Sequence, residues 1–333
     1  MQIQATKSAI KVNGYAYANI ADDVLAKTLP HLTFLSLFSY EARTGGNVAP
    51  IIVPRAEDAA IAKAQAAGVK PWLVVSNIGV DGKFDAGLAH DILNDASAAN
   101  NLINNLLKAM RDKGYAGLDV DFEFIKPQDR DAYNAFLAKC AAAMHENGYS
   151  ISVAVPAKEA DNAADSFTAA YDYAAIGQIV DYVTLMTYDW GYATDGAMAV
   201  APISNVEGTV KFAASKMPVS KILMGLPNYG YDWPTQPGPQ NPGRAISNAD
   251  AVELAKKFNR PISFDEKSQS PFFVYYDAEG KRREVWFEDA RSVKAKLALV
   301  EKYGLAGVSM WTINKFWPQG WLVLGTMYDV VKI

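Results

Sequence analysis

A chain of 333 residues, half of them hydrophobic, can fill one large core. Its charged residues are dispersed and sum to a net charge of -4, which excludes a basic nucleic-acid surface and a polybasic membrane patch. A single cysteine excludes an intrachain disulfide.

The opening MQIQATKSAI has no apolar h-region, so no secretory signal is visible. No run approaches the roughly 18 apolar residues of a membrane span. The expectation is a protein kept in the cell that makes it, or one whose leader has been trimmed. Strands are then predicted at Asn13–Ala18, Leu32–Phe38, Pro71–Asn77, Gly117–Phe124, Ile151–Pro156, Tyr182–Tyr188, Ile222–Tyr229 and Val308–Ile313. Most are nearly continuous apolar runs, as parallel strands buried on both faces require.

Helical stretches fill the gaps. Leu102, Ile103, Leu106, Leu107 and Met110 share one helical face, as do Val293, Leu297 and Val300. Cys140 falls on the face formed by Tyr133, Phe136, Leu137 and Met144 and reads as an inert core thiol. Gly68, Gly114, Gly148 and Gly304 each precede a strand, where a helix C-terminal glycine belongs. Eight strands, each followed by a helix, predict an α/β fold, a (β/α)₈ TIM barrel formed by residues 1–333 as a single domain. A doubly wound open sheet is the alternative, and the strand count weighs against it.

One connection, between strand seven and a helix starting near Asp289, is too long for a βα loop. It holds a Pro-rich entry (Pro234, Pro237, Pro239, Pro242), a helix around Ala249–Phe258, and a hairpin. The hairpin runs through Phe272–Tyr276, a turn at Asp277–Gly280, and Arg283–Phe287. Residues 232–288 are therefore expected to form a small α+β insertion walling one side of a cleft.

Barrel chemistry sits at the C-terminal ends of strands. Strand four reads Tyr115-Ala116-Gly117-Leu118-Asp119-Val120-Asp121-Phe122-Glu123-Phe124. Alternation puts Asp119, Asp121 and Glu123 on one face and Leu118, Val120, Phe122 and Phe124 on the other. An exposed acidic outer face would leave the strand unable to pack its helices, so the carboxyls are read as pointing inward. Three carboxyls this close cannot all ionise, and a raised carboxyl pKa suits a general acid.

Strand six ends in Met186-Thr187-Tyr188-Asp189-Trp190, strand seven in Asn228-Tyr229-Gly230-Tyr231-Asp232-Trp233, and strand eight in Trp311-Thr312. Aromatic rings at three strand ends suit stacking on sugars, and Asp189 and Asp232 can accept sugar hydroxyls. The sugar-binding candidates are Trp311, Asp189, Met186, Tyr229, Tyr17, Asn77, Asp232 and Trp233. His31, His90 and His145 are scattered and match no metal spacing.

These motifs resemble the family-eighteen glycoside hydrolases, the chitinase-like barrels. The family's Asp-Gly-x-Asp-x-Asp-x-Glu signature stands here as Ala116 to Glu123, its Met-x-Tyr-Asp motif as Met186 to Asp189, and its strand-eight tryptophan as Trp311. The segments Gly225 to Trp233, Val285 to Ser292 and Pro318 to Trp321 look like the bacterial spore-cortex-lytic N-acetylglucosaminidase branch, though no LysM repeat precedes them here.

The resemblance implies hydrolysis of N-acetylglucosaminyl β-1,4 bonds, in peptidoglycan or alternatively in chitin. Anomeric configuration is retained without an enzyme nucleophile, because the substrate's 2-acetamido oxygen attacks instead. Glu123 would be the acid and base, Asp121 would hold the acetamido N–H, Asp119 would share a proton with Asp121, and Tyr188 would orient the acetamido oxygen. It implies a glycan partner, no cofactor or metal, no nucleic acid or membrane, and a spore-associated or cytoplasmic location. Ala116 departs from the signature farthest from the reacting bond, where altered activity or stability is expected rather than lost chemistry. A non-hydrolytic carbohydrate-binding barrel and an acidic metal-dependent barrel are the rival classes.

Overall fold

The computed structural model describes residues 7–51 and 54–333, so most of the opening segment read for a leader lies outside the described residues. Eight parallel strands surround the axis: β1 (Ser8–Ala16), β2 (Phe34–Arg43), β3 (Lys70–Ser76), β4 (Gly117–Asp121), β5 (Ser150–Pro156), β6 (Tyr182–Met186), β7 (Ile222–Pro227) and β8 (Gly307–Trp311). Each pairs with the next, and β8 pairs with β1 through Asn13↔Ser309 and its neighbours. The ring is closed, as a (β/α)₈ barrel requires and a doubly wound sheet forbids. Two short strands beside the barrel were not expected. Asn47–Pro50 pairs antiparallel with β2, and Tyr328–Val330 pairs with the start of β1.

The helices form where apolar spacing and caps agree. In α1 (Ala96–Lys113), Leu102, Ile103, Leu106, Leu107 and Met110 are all buried against the barrel. The Asp95 side chain caps its N-terminus by accepting from the amides of Ser97 and Ala98. Gly114 ends it at φ +82°, a conformation that costs glycine nothing. Gly68, Gly148 and Gly304 take the same left-handed geometry. In α2 (Arg130–Glu146), Cys140 is fully buried, and burial pushes its thiol pKa up, away from reactivity.

The long connection after β7 folds on itself as a five-stranded antiparallel sheet, ordered Arg244–Ser247, Tyr229–Pro234, Arg282–Trp286, Ser270–Tyr276, Ser263–Asp265. It begins at Tyr229, earlier than residue 232, because β7 passes through Asn228 directly into it. Helix α3 (Asn248–Lys257) packs Ala251 and Ala255 on Phe273, Tyr275, Val285 and Phe287, a core separate from that of the barrel. The sheet is tied to the barrel at its roots. The Asn248 side chain donates to the Pro227 carbonyl and accepts from the Glu288 amide, at 3.2 and 2.9 Å. Beside it, the buried Lys296 of α4 (Ala290–Tyr303) pairs with the buried Glu288 at 2.7 Å.

His90 faces Asp129, His145 faces Asp181, and His31 stacks on Trp321. Among the described residues no group of three or more His, Cys, Asp or Glu could hold a metal, and no helix is long and apolar enough to cross a membrane.

Candidate active site

Asp119 and Asp121 both point into the barrel from β4, one above the other, with 0% and 3% of their surfaces exposed. The Ser36 hydroxyl lies within hydrogen-bond distance of both Asp119 Oδ2, at 3.1 Å, and Asn13 Oδ1, at 3.0 Å, and its one proton can serve either. Burial pushes the Asp119 carboxyl up to about 6, opposed by the hydroxyls of Tyr15, Ser36 and Ser152. Burial raises Asp121 well above the usual carboxylate range, and the charges of Glu123 and Asp119 raise it further.

Glu123 stands two residues past the end of β4. Burial pushes it up to about 7, helped by the charge of Asp189. A carboxyl with that midpoint carries its proton through much of the neutral range, as a general acid must. Asp121 feels the charges of both other carboxyls, so the three cannot all be charged together without cost.

Asp121 and Glu123 open onto a cavity of about 1160 Å³ at the C-terminal mouth of the barrel. Tyr17, Met186, Tyr188, Asp189, Tyr229 and Trp311 line it as well. Burial, with the negative charge of Asp121, raises the Tyr188 hydroxyl well above 10, so it stays protonated and can donate. Asp189 accepts from the Tyr229 hydroxyl at 2.6 Å and from Tyr231 at 3.4 Å, and its backbone is left-handed at φ +66°. Trp311 ends β8 with edge-on contacts to Tyr15, Phe38 and Tyr17, at centroid separations of 5.3, 5.7 and 6.3 Å. Its carbonyl accepts from the Asn228 amide, and the Asn228 side chain holds the carbonyls of Thr312 and Lys315.

Three of the sugar-binding candidates lie outside the cavity wall. Asp232 is buried, and its carboxylate is already engaged by Arg283 at 2.7 Å, Tyr275 at 2.9 Å and Arg244 at 3.0 Å. Trp233 is fully buried, with its indole N–H on the Tyr192 carbonyl at 3.1 Å. Tyr229 and Tyr231 of the same strand reach the cavity, but the Asp232 carboxylate is taken by these three partners and the Trp233 ring is enclosed, so neither is open to a sugar. Asn77 is fully buried beneath Glu123 and meets its backbone rather than the cavity.

The cavity also takes residues that sequence reasoning missed. Phe124, expected on the apolar outer face of strand four, instead turns into the mouth at φ +56° and is half exposed. Phe167 packs on it at 5.1 Å and Phe84 at 6.2 Å. Tyr231 could have been found, since it alternates with Tyr229. Phe84 and Phe167 sit in loops without periodicity and carried no signal. Ala116 lies at the opposite end of β4, where its amide donates to the Pro71 carbonyl, and does not line the cavity.

An acid held near neutrality, a buried carboxyl beside it, a tyrosine donor and a tryptophan wall can protonate a leaving oxygen while holding a polar substituent of a stacked ring. Comparisons with known proteins agree. The family described as glycosyl hydrolases family 18 matches residues 14–315, and the chain belongs to it. The cortical fragment-lytic enzyme of Bacillus subtilis (strain 168) is 39% identical over 306 residues, which span 91% of this chain and 69% of that protein. The crystal structure of the Bacillus cereus spore cortex-lytic enzyme SleL superposes with a TM-score of 0.91 at 36% identity, covering 98% of this chain and 76% of that one. A chitinase from Chromobacterium violaceum ATCC 12472 follows the same fold at a TM-score of 0.89 and 29% identity, covering 96% of this chain and 98% of its own. The resemblance read from the motifs, branch included, is borne out, and the chain is a glycosidase.

Proposed function

From that family membership we propose that the protein hydrolyses the β-1,4 bond following N-acetylglucosamine in peptidoglycan, spore-cortex fragments foremost, by a retaining, substrate-assisted reaction. The observation that carries the reading is Glu123, raised to about 7 beside Asp121 in a cavity walled by Trp311. The sugar before the scissile bond stacks on Trp311. The Tyr188 hydroxyl donates to its acetamido oxygen, and Asp121 accepts from the acetamido N–H. That oxygen bonds to the anomeric carbon as the bond to the leaving oxygen breaks, and Glu123 delivers its proton to the leaving oxygen. Water then attacks the anomeric carbon, the bond from the acetamido oxygen to that carbon breaks to restore the acetamido group, and the water's proton passes to Glu123, which restores the acid. The Asp119 carboxyl, pushed up to about 6, shares a proton with Asp121 and steadies it as charge develops on the ring.

Likeness to a cortical fragment-lytic and a spore cortex-lytic enzyme supports peptidoglycan as the substrate and a spore-associated location. Likeness to a chitinase across 96% of this chain supports chitin as the second reading. Mass spectrometry of products from cortex fragments and chitin oligomers, digested side by side, tests the choice. Cortex fragments should be cut after N-acetylglucosamine. Ready cleavage of chitin with cortex fragments untouched makes the protein a chitinase.

A further inference from the structure

Glu123 sits where the barrel no longer supports its backbone. The parallel ladder between β3 and β4 stops at the rung Ser76↔Asp121. Beyond it the chain leaves the sheet, and a peptide group there must find other partners or remain unpaired.

Asn77, the next residue after Ser76, supplies both partners for Glu123 from its side chain. Its Oδ1 accepts from the Glu123 amide at 2.8 Å, and its Nδ2 donates to the Glu123 carbonyl at 2.9 Å. The primary amide stands in for the peptide group that one more rung would have provided. It is itself locked. The second Nδ2 hydrogen goes to the Asp85 carbonyl at 3.1 Å, and the Asn77 backbone carbonyl accepts from the Asp85 amide at 2.9 Å. Turned over, the side chain would set its oxygen against two carbonyl oxygens, so only one orientation fits.

The residues on either side of Glu123 are also constrained. The buried Tyr171 hydroxyl donates to the Phe122 carbonyl at 2.8 Å. Phe124 holds φ at +56°, a region that a bulky side chain occupies only when its surroundings impose it. Neither Asn77 nor Tyr171 lines the cavity.

We infer that Asn77 and Tyr171 are positioning residues that clamp the backbone of residues 122–124, and so set the Glu123 carboxyl at the leaving oxygen. The inference rests on the reading of Glu123 as general acid. An acid's placement matters in proportion to how badly the leaving group needs its proton. A sugar alkoxide needs it, whereas 2,4-dinitrophenolate departs without it. The −1 pocket, formed by Asp121, Tyr188 and Trp311, is untouched by either residue.

The test measures kcat/KM for Asn77→Ala and Tyr171→Phe on two substrates sharing an N-acetylglucosaminyl glycone, one with a sugar leaving group and one with 2,4-dinitrophenolate. An N-acetylglucosamine thiazoline reports on the −1 pocket through its inhibition constant. A loss of roughly 10- to 100-fold is expected on the sugar leaving group, the scale of misplacing a reacting group by about 1 Å. The dinitrophenyl substrate should lose far less, and thiazoline inhibition should hold. Equal losses on both substrates with weakened thiazoline binding would reduce Asn77 to general support of the pocket, and full activity on both would make the clamp dispensable. Tyr171→Phe keeps its ring and carries the test if Asn77→Ala does not fold. Glu123→Gln on the same two substrates separates the failures. If it too loses equally on both, the fault lies with Glu123 as acid and not with the clamp.

Discussion

Replacing Glu123 with glutamine should disable the protein and stabilise it at once, and the two effects have one cause. Glutamine keeps the size of the side chain but carries neither an acidic proton nor a charge. Losing a general acid–base group typically costs about 10²–10⁴-fold in rate. In the wild type, the acid's midpoint of about 7 makes kcat/KM fall above neutral pH, about tenfold for each further pH unit as the protonated form is depleted. The same midpoint fixes the stability effect. Below the ordinary midpoint of 4.5, Glu123 is protonated whether the chain is folded or not, so the variant has no advantage there. As pH rises from 4.5 through about 7, the unfolded chain loses this proton more readily than the folded one, and wild-type stability declines. At about 1.4 kcal/mol per pH unit, glutamine should be the more stable by roughly 3 kcal/mol at pH 8, and by less where water reaches the carboxyl. Urea unfolding of both proteins between pH 4.5 and 8, compared at unchanged slope, reads the difference. An advantage that does not grow with pH would refute the raised midpoint, and undiminished turnover would show that another group is the acid.

Asp189→Asn removes a charge that raises Glu123, so the alkaline limb of the pH–rate profile should move to lower pH, leaving the rate at pH 8 hit harder than at pH 6. Asp232→Ala strands the largely buried Arg283, and breaking a buried pair typically costs about 3–5 kcal/mol, so the melting temperature should fall. If instead stability is kept and only KM rises, Asp232 binds sugar after all. Phe124→Ala and Phe167→Ala each remove an exposed ring from the mouth of the cavity. Each should raise KM for long glycans several-fold, on the order of 1 kcal/mol of stacking, and leave short aryl glycosides unaffected. Equal KM changes on both substrate lengths would give these rings another purpose.

Much of the site was legible because a strand has a period of two. Once eight apolar strands are counted, the inner face of strand four must carry Asp119 and Asp121, since the outer face has to receive helices. Strand-end motifs put Tyr188, Asp189 and Trp311 at the same mouth without knowledge of any distance. The alternation misled where the strand ended early. β4 stops at Asp121, so the rule that sends Phe124 outward does not apply, and the left-handed turn at that residue aims its ring at the substrate side. It misled again in the insertion. Asp232 and Trp233 look like sugar ligands from their place after β7, but the folded insertion encloses the indole and surrounds the carboxylate with two arginines and a tyrosine. Arg283 and Arg244 reach the carboxylate only when that sheet forms.

What the sequence determines by itself is local or periodic: which faces are apolar, where helices stop at glycine, and which carboxyls share a strand face. What only the tertiary structure decides is the set of partners each polar group finds across the chain. Asn77 and Glu123 lie 46 residues apart, and nothing in either neighbourhood announces that one amide will complete the other's backbone hydrogen bonds. A buried side chain takes its role from whatever the closed barrel places beside it, and in this barrel that neighbour is the acid.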